Sequence, residues 1–444
     1  MSRTIRISRQ GPIKGSVNVP GDKSISHRVA MLASVAQGTS RVEGFASSAD
    51  CWATVGCVRE LGIPVERDGE ALLIHGRGLK GYDPPSGKAV LDAGNSGSTI
   101  RMISGLLAAQ GFTSIIDGDE SLRRRPMGRI IEPLSAMGGH IRARDGRFAP
   151  LEIQGRPLKA IDFSSPVASA QVKTCALFAG LYADGTTTFV EPSPSRNHTE
   201  LMLGEFGARL KSSHAGGKPI LSVEGGAELR PVYYRVPGDF SSAAFFIAAA
   251  TLLPGSELVV RRVSLNPSRT AFIEVLNGLG GNITRENAET VHGEAVGDLR
   301  IRSGRLNSGP DGALLSGGII ANLIDEVPIL AVLGTQVEGR FEIRGARELR
   351  VKESDRITTV VRAIRAMRGE IEEFEDGFAV EGPQRLRGAA IETSGDHRIA
   401  MAFSVAGLLA EGSTDIIDAD CASVSFPEFY DLLASLTGES AIEA

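Results

Sequence analysis

The sequence predicts an α/β (α+β) protein made of six copies of one unit, grouped as two similar domains with buried helices and outer sheets. Three observations predict it. An Ala/Leu-rich stretch ending in a glycine turn recurs six times. A Val-Pro-Gly-Asp tetrapeptide recurs near half the chain length. Several helical stretches, such as Ala243-Ala-Phe-Phe-Ile-Ala-Ala-Ala, have no polar face. A helix that is apolar all round is buried, so the sheets must lie outside it.

The first element of each unit is a helix running into a turn glycine. The turns are Gly38, Gly111, Gly185, Gly255, Gly339 and Gly412. Their separations are 73, 74, 70, 84 and 73 residues, and 444 divided by six is 74. Fixed-period similarity of this kind marks a repeat architecture. A short β-like run follows each turn. A second, amphipathic helix follows that run and ends near Gly62, Gly138, Gly207, Gly280, Gly369 or Gly438. Further β-like runs, such as Ile63-Pro-Val-Glu and Ile371-Glu-Glu-Phe, come next. Glycine just past a helix supplies the left-handed cap that other residues adopt at a cost, and both sets are expected to act as such caps.

A coarser duplication overlies the six. Val19-Pro-Gly-Asp-Lys-Ser24 recurs as Val236-Pro-Gly-Asp-Phe-Ser241, an offset of 217. Pro-Gly interrupts regular structure, so both segments read as crossovers between domains. Residues 1–20 then belong with 238–444, and 21–237 form the other domain. With no long linker, the two are expected to be close-coupled around a cleft that holds the active site.

Composition excludes several classes. The net charge is −5, and no basic run suggests nucleic-acid binding. No apolar run reaches the ~20 residues of a membrane span. The N-terminal Met1-Ser-Arg-Thr-Ile-Arg lacks the apolar core of a secretory signal. Four scattered cysteines (Cys51, Cys57, Cys175 and Cys421) form no disulfide framework, and no Cys-x-x-Cys or histidine spacing suggests a metal. A cytoplasmic globular protein large enough to be an enzyme is what remains, and a monomer is expected.

Cations concentrate at a few turns of this acidic chain. Lys23-Ser24-Ile-Ser-His-Arg28 opens a buried helix, where hydroxyl, backbone N–H and cation suit phosphate. Asp92-Ala-Gly-Asn95-Ser-Gly97-Ser-Thr-Ile-Arg101 lets a backbone approach an anion closely. Ser121-Leu-Arg-Arg-Arg125-Pro-Met-Gly-Arg129 carries four arginines, read as ligand-binding. In Arg350-Val-Lys352-Glu353-Ser-Asp-Arg356, Lys352 and Arg356 share a face if the stretch is helical, and a solvated ladder of ion pairs is the alternative. Asp396-His397-Arg398 and Asp325-Glu326 precede two further buried helices. Helix N-termini with Lys and Arg attract a multiply charged anion. Two anionic substrates with a carboxylate base between them is the chemistry implied.

At these residues the sequence resembles the 5-enolpyruvylshikimate-3-phosphate synthase family. Leu91-Asp-Ala-Gly-Asn-Ser-Gly-Ser-Thr-Ile-Arg101 and Arg350-Val-Lys-Glu-Ser-Asp-Arg356 look like its signatures. Pro20-Gly-Asp-Lys-Ser-Ile-Ser-His-Arg28, Arg125-Pro126 and Asp396-His-Arg398 match in order, and the similarity covers essentially the whole chain. The resemblance implies the enolpyruvyl transferase fold, two domains each of three βαβαββ-like units. It also implies transfer of the enolpyruvyl group of phosphoenolpyruvate to the 5-hydroxyl of shikimate 3-phosphate, with no cofactor or metal.

By motif position, the resemblance assigns Lys23, Ser24, Arg28, Ser169, Ala170, Gln171, Arg196, Asp325 and Lys352 to shikimate 3-phosphate. Lys23, Asn95, Gly97, Arg125, Gln171, Arg356 and Arg398 fall to phosphoenolpyruvate. Asp325 would take the hydroxyl proton, and Glu353 or Lys23 would carry the carbon-bound proton. His397 is either an orienting donor or a structural histidine. Two positions depart from many members: Val424 replaces a lysine before Ser425-Phe-Pro427, and Ala170 replaces a serine. Toward the inhibitor glyphosate, Gly97 argues for access and Val424 for weaker binding. The related UDP-N-acetylglucosamine enolpyruvyl transferases use a cysteine in the loop before Arg-Pro. Here that loop, residues 118–126, has none.

Overall fold

Among the described residues, six small sheets and six buried helices form the framework of the fold. The computed structural model describes residues 3–85, 87–438 and 441–443. Contacts divide the chain into two units. One holds Met1–Pro20, Pro237–Glu289 and Ala295–Ala444, and the other holds Gly21–Val236 and Thr290–Glu294. Each is described below by itself.

The 21–236 unit is built on the helices Lys23–Ser34, Gly97–Leu107 and Ala170–Gly180. Its sheets are four-stranded. The pattern is plainest in the middle repeat. Strand Lys88–Asp92 leads through a buried helix to Thr113–Asp117, which lies parallel to it. A second helix, Gly128–Ala136, then leads to the antiparallel hairpin His140–Arg144 and Phe148–Gln154. This is βαβαββ, and the third repeat of the unit copies it. The first repeat takes its leading strand from far along the chain. Tyr233–Arg235 pairs parallel with Gln37–Glu43. Thr290–Glu294 counts with this unit because the His292 ring stacks on Tyr234, 4.4 Å between centroids, and Glu294 pairs with buried His198 at 2.6 Å.

The other unit repeats the plan on the helices Phe240–Leu252, Val327–Gly334 and His397–Leu409. In the first of these every residue from Phe240 to Thr251 is buried. Phe245 and Phe246 pack edge-on against Phe426 and Phe429 of the C-terminal segment. The leading strand of its first repeat is Lys14–Asn18, parallel to Glu257–Ser264. Its last repeat is completed by Ile5–Ser8, antiparallel to both Ser413–Ile417 and Ile442–Glu443. Both Val-Pro-Gly-Asp segments thus separate a strand of one unit from a helix of the other. The wide spacing of 84 residues before Gly339 reflects a long hairpin, Asn282–Val291 with Glu294–Arg302, and a leading strand split into Leu306–Asn307 and Ala313–Leu315.

The two glycine sets have different jobs, which corrects the sequence reading. The caps are the second set. Gly62, Gly138, Gly207 and Gly280 have φ of +83°, +93°, +85° and +92°, each one residue past a helix cap. Their N–H groups and those of the next residues return to the last helical carbonyls, as in Ile63 N to Val58 O at 3.3 Å and Gly139 N to Leu134 O at 2.8 Å. In the fifth repeat this place is taken by Arg368, at φ +63°. The first set lies past the helix ends, at the entry to strands; Gly38 and Gly339 are strand residues.

Candidate active site

In the 21–236 unit the three buried helices begin close together. Asp22 caps the first, its Oδ1 accepting from Ile25 N at 2.9 Å. Ser96 caps the second, accepting from Thr99 N at 3.1 Å. Ser169 opens the third. Lys23 is partly buried and donates to Asp50 at 3.1 Å. Arg28, 2 % exposed, ties the helices together. It donates to Thr199 Oγ1 at 2.7 Å, Ser24 O at 2.8 Å, Thr174 Oγ1 at 3.0 Å and Ala170 O at 3.4 Å. Arg196 reaches Ser24 Oγ at 3.4 Å. Ser24, Arg28, Ala170 and Arg196 therefore form one group.

A second group adjoins it through Gln171. The Gln171 amide donates to Ser98 Oγ at 2.9 Å and accepts from Arg101 at 2.8 Å. Arg125 donates to Asn95 O at 3.1 Å, Asn95 Oδ1 at 2.7 Å and Ser121 Oγ at 3.0 Å. Asn95 donates to Asp119 at 2.6 Å. Gly97 lies under both guanidinium groups. A Cβ there would stand 3.0 Å from Arg101 Nη1 and 3.3 Å from Arg125 Nη1. Beneath, buried His27 hydrogen-bonds Thr54, which bonds Thr99, both at 2.7 Å. Burial first, then Lys23 and Arg28, pull the His27 imidazole well below its usual range, so it is neutral.

The 237–444 unit gathers carboxylates around arginine. Arg356 is buried and opens the helix Arg356–Ala366. Its Nε donates to Asp396 at 2.8 Å and one Nη to Glu353 at 2.6 Å; the other Nη lies 3.6 Å from Asp325. Burial alone would lower the Arg356 pKa, but Asp396, Glu353 and Asp325 more than offset it and raise it. Arg398 donates to Asp325 O at 2.9 Å and stands 3.6 Å from its Oδ1. Asp396 caps the helix that Arg398 belongs to, accepting from Arg398 N at 3.0 Å. Lys352 is partly buried, 3.9 Å from Glu348. Desolvation lowers its pKa, with Asp325 and Glu348 pulling the other way. Asp325 sits in the turn before the buried helix Val327–Gly334. So a carboxylate touched by two arginines faces a second carboxylate across one of them, an arrangement suited to moving protons beside an anion.

The chain matches the family described as EPSP synthase (3-phosphoshikimate 1-carboxyvinyltransferase) over residues 7–433. It belongs to that family. A 3-phosphoshikimate 1-carboxyvinyltransferase of Solibacter usitatus is 52% identical over 428 residues, covering 96% of this chain and 98% of the relative. One from Salinibacter ruber is 49% identical over 436 residues, covering 97% and 99%. The solved EPSP synthase of Acinetobacter baumannii superposes with a TM-score of 0.86 at 38% identity, covering 99% of both chains. The enolpyruvyl transferase fold that the family resemblance implied is therefore the fold of this chain.

Within each unit the structure brings together the residues the family resemblance singled out, with some corrections. Of the four arginines in 121–129, Arg125 joins the site group. Arg123 pairs with Asp117, and Arg124 lies 3.9 Å from Glu120, both at the surface. Lys352 and Arg356 do not share a helix face. Lys352 ends a short 3₁₀ turn, Arg347–Val351, and Asp355 caps a new helix. His397 is buried at the start of its helix. Four contributors were not assigned from the sequence: Asp50, Ser98, Arg101 and Asp396. Ser98 and Arg101 lie in the quoted signature and so were findable. Asp50 was not, because a carboxylate near a helix start reads as an ordinary dipole partner. No group of His, Cys, Asp and Glu able to hold a metal occurs among the described residues. No helix among them is long and apolar enough to cross a membrane.

Proposed function

We propose that the two sets of residues serve one reaction on one substrate pair, phosphoenolpyruvate and shikimate 3-phosphate. The enzyme is a 3-phosphoshikimate 1-carboxyvinyltransferase of the shikimate pathway. The carboxylate and arginine cluster at Asp325, Glu353 and Arg356 carries the mechanistic reading. The methylene carbon of phosphoenolpyruvate gains a proton from Glu353 or Lys23. The 5-oxygen of shikimate 3-phosphate bonds to the adjacent carbon while its proton passes to Asp325. Loss of the proton from the methyl group and departure of phosphate then restore the double bond.

Lys23, Ser24, Arg28, Ser169, Ala170, Gln171, Arg196, Asp325 and Lys352 hold shikimate 3-phosphate in this reading, and Lys23, Asn95, Gly97, Arg125, Gln171, Arg356 and Arg398 hold phosphoenolpyruvate. What the site supplies is orientation, charge neutralisation and placed proton carriers. The same reading takes the enzyme as a cytoplasmic monomer. The test is release of phosphate from phosphoenolpyruvate. It should require shikimate 3-phosphate and fail with UDP-N-acetylglucosamine; release with the UDP-sugar alone would overturn the assignment.

A further inference from the structure

Arg196 stands on a loop, yet it is the loop's neighbours that are built most rigidly. The segment from Glu191 to Asn197 joins the strand Thr186–Val190 to the helix His198–Glu205. Behind it lies Lys173, on the buried face of the helix Ala170–Gly180 and 1 % exposed. An ammonium has three N–H donors. Three acceptors on this segment and the helix that follows lie within reach of the Lys173 ammonium. Glu191 Oε2 is at 2.9 Å, Ser195 O at 3.5 Å and Glu200 Oε1 at 2.7 Å. Glu191 is as buried as Lys173. The other Glu191 oxygen accepts from the Ser195 hydroxyl. Ser195 is thus held at its carbonyl and its side chain, immediately before Arg196. Thr199 and Glu200, just after it, are bonded to Thr174 and Lys173 of the same helix, Thr199 to Thr174 at 2.6 Å.

Burying one ammonium between two carboxylates is an expensive way to fill a core. Apolar side chains of similar volume usually stabilise as well or better. They could not, however, hold the two ends and the middle of one loop. We infer that Lys173 is a positioning residue for Arg196: with Glu191, Glu200 and Ser195 it fixes the loop that presents this guanidinium to shikimate 3-phosphate. The inference rests on the proposed role of Arg196. A preset guanidinium binds an anion without first giving up the freedom of a mobile loop.

Replacing Lys173 alone would leave two buried carboxylates and risk unfolding, so the test removes the whole ion cluster. The variant is Lys173→Met with Glu191→Gln and Glu200→Gln, checked for a cooperative thermal transition. KM for shikimate 3-phosphate should rise about tenfold, with kcat and KM for phosphoenolpyruvate changed less than about threefold. In an Arg196→Ala background the same three replacements should add less than twofold, because there is no guanidinium left to place. Ser195→Ala, which leaves the ion cluster whole, should raise the same KM about threefold. An unchanged KM for shikimate 3-phosphate in both the triple variant and Ser195→Ala would overturn the inference. So would a full additional loss in the Arg196→Ala background. If Arg196→Ala itself leaves that KM unchanged, it is the role of Arg196 that fails.

Discussion

The bonds described for Arg28 and Arg125 in one unit and for Arg356 in the other end on different kinds of partner. In the 21–236 unit, the bonds described for Arg28 end on hydroxyl and carbonyl oxygens, and those of Arg125 on amide, carbonyl and hydroxyl oxygens. In the other unit Arg356 is held by Asp396 and Glu353 and lies against Asp325. Neutral oxygens fix a guanidinium in place while cancelling little of its charge. Carboxylates fix it and cancel the charge, but leave groups that accept and return protons. The first arrangement suits holding a phosphate. The second suits chemistry beside one. The repeats share a fold, so the difference comes from which side chains cap the helices and open their first turns.

That contrast can be broken at its most active point first. Asp325→Asn keeps shape and hydrogen bonding but cannot take a proton, so kcat should fall ~10²–10⁴-fold. Both KM values should move little. Near-normal turnover would make Asp325 only a helix-start carboxylate. Next is stability. Arg356→Met strands Asp396 and Glu353, and should cost about 3–5 kcal/mol in urea unfolding. Adding Asp396→Asn should recover part of that. No recovery would mean that the carboxylates are not what Arg356 neutralises.

Smaller effects sharpen the comparison. In Gly97→Ala the new methyl would press on Arg101 and Arg125. Those are flexible guanidinium ends, so the fold should hold. Affinity for glyphosate, expected to compete at the phosphoenolpyruvate site, should drop about tenfold or more, since one methyl group in a tight pocket is worth ~1–3 kcal/mol. The inhibition constant set against KM for phosphoenolpyruvate reads this; equal changes in both would remove Gly97 as the discriminating residue. Lys352 has its pKa lowered by desolvation. Its charge is present below that pKa and lost as pH rises through it. The alkaline limb of kcat/KM for shikimate 3-phosphate should therefore lie below the ordinary lysine range and move up in Lys352→Arg. Last, Arg368 holds the left-handed position that glycine holds in four sister repeats. Arg368→Gly should stabilise by about 0.5–1 kcal/mol in a thermal melt, with no change in kinetics.

The period of 74 and the twin Val-Pro-Gly-Asp segments were enough to read the six repeats, because each repeat must end its helices the same way. The sequence did not show which glycine does so, since both sets follow helices at similar distance. Site residues inside continuous signatures were legible. Lys173, which lies outside them, was not. Lys173 sits in a mostly apolar helix, 18 and 27 residues from its two glutamates, with no acidic residue near it in sequence to mark it. Arg123 and Arg124 were misread because adjacent arginines give no clue to which one turns inward. Only the cap at Asp119 and the bend at Arg125 decide that.

The strands exchanged at the two Val-Pro-Gly-Asp segments impose a timetable on synthesis. As the chain leaves the ribosome, Ile5–Ser8 and Lys14–Asn18 emerge long before their partners, Ser413–Ile417 for the first and Glu257–Ser264 for the second. Residues 21–236 can assemble meanwhile, since nearly all their partners lie within that span. Lys14–Asn18 must wait, unpaired, until residue 264 is made, and Ile5–Ser8 until residue 417. The charged and polar positions in and around them, Arg3, Arg6, Arg9, Gln10 and Lys14, suit a strand that must stay soluble while it waits. Ile7 finally pairs with Ile442, so the first and last described strands meet in one sheet. A permuted gene that joins those ends and opens between Pro20 and Gly21 would deliver both units as unbroken stretches apart from Thr290–Glu294, and its product should refold faster from denaturant than the natural chain.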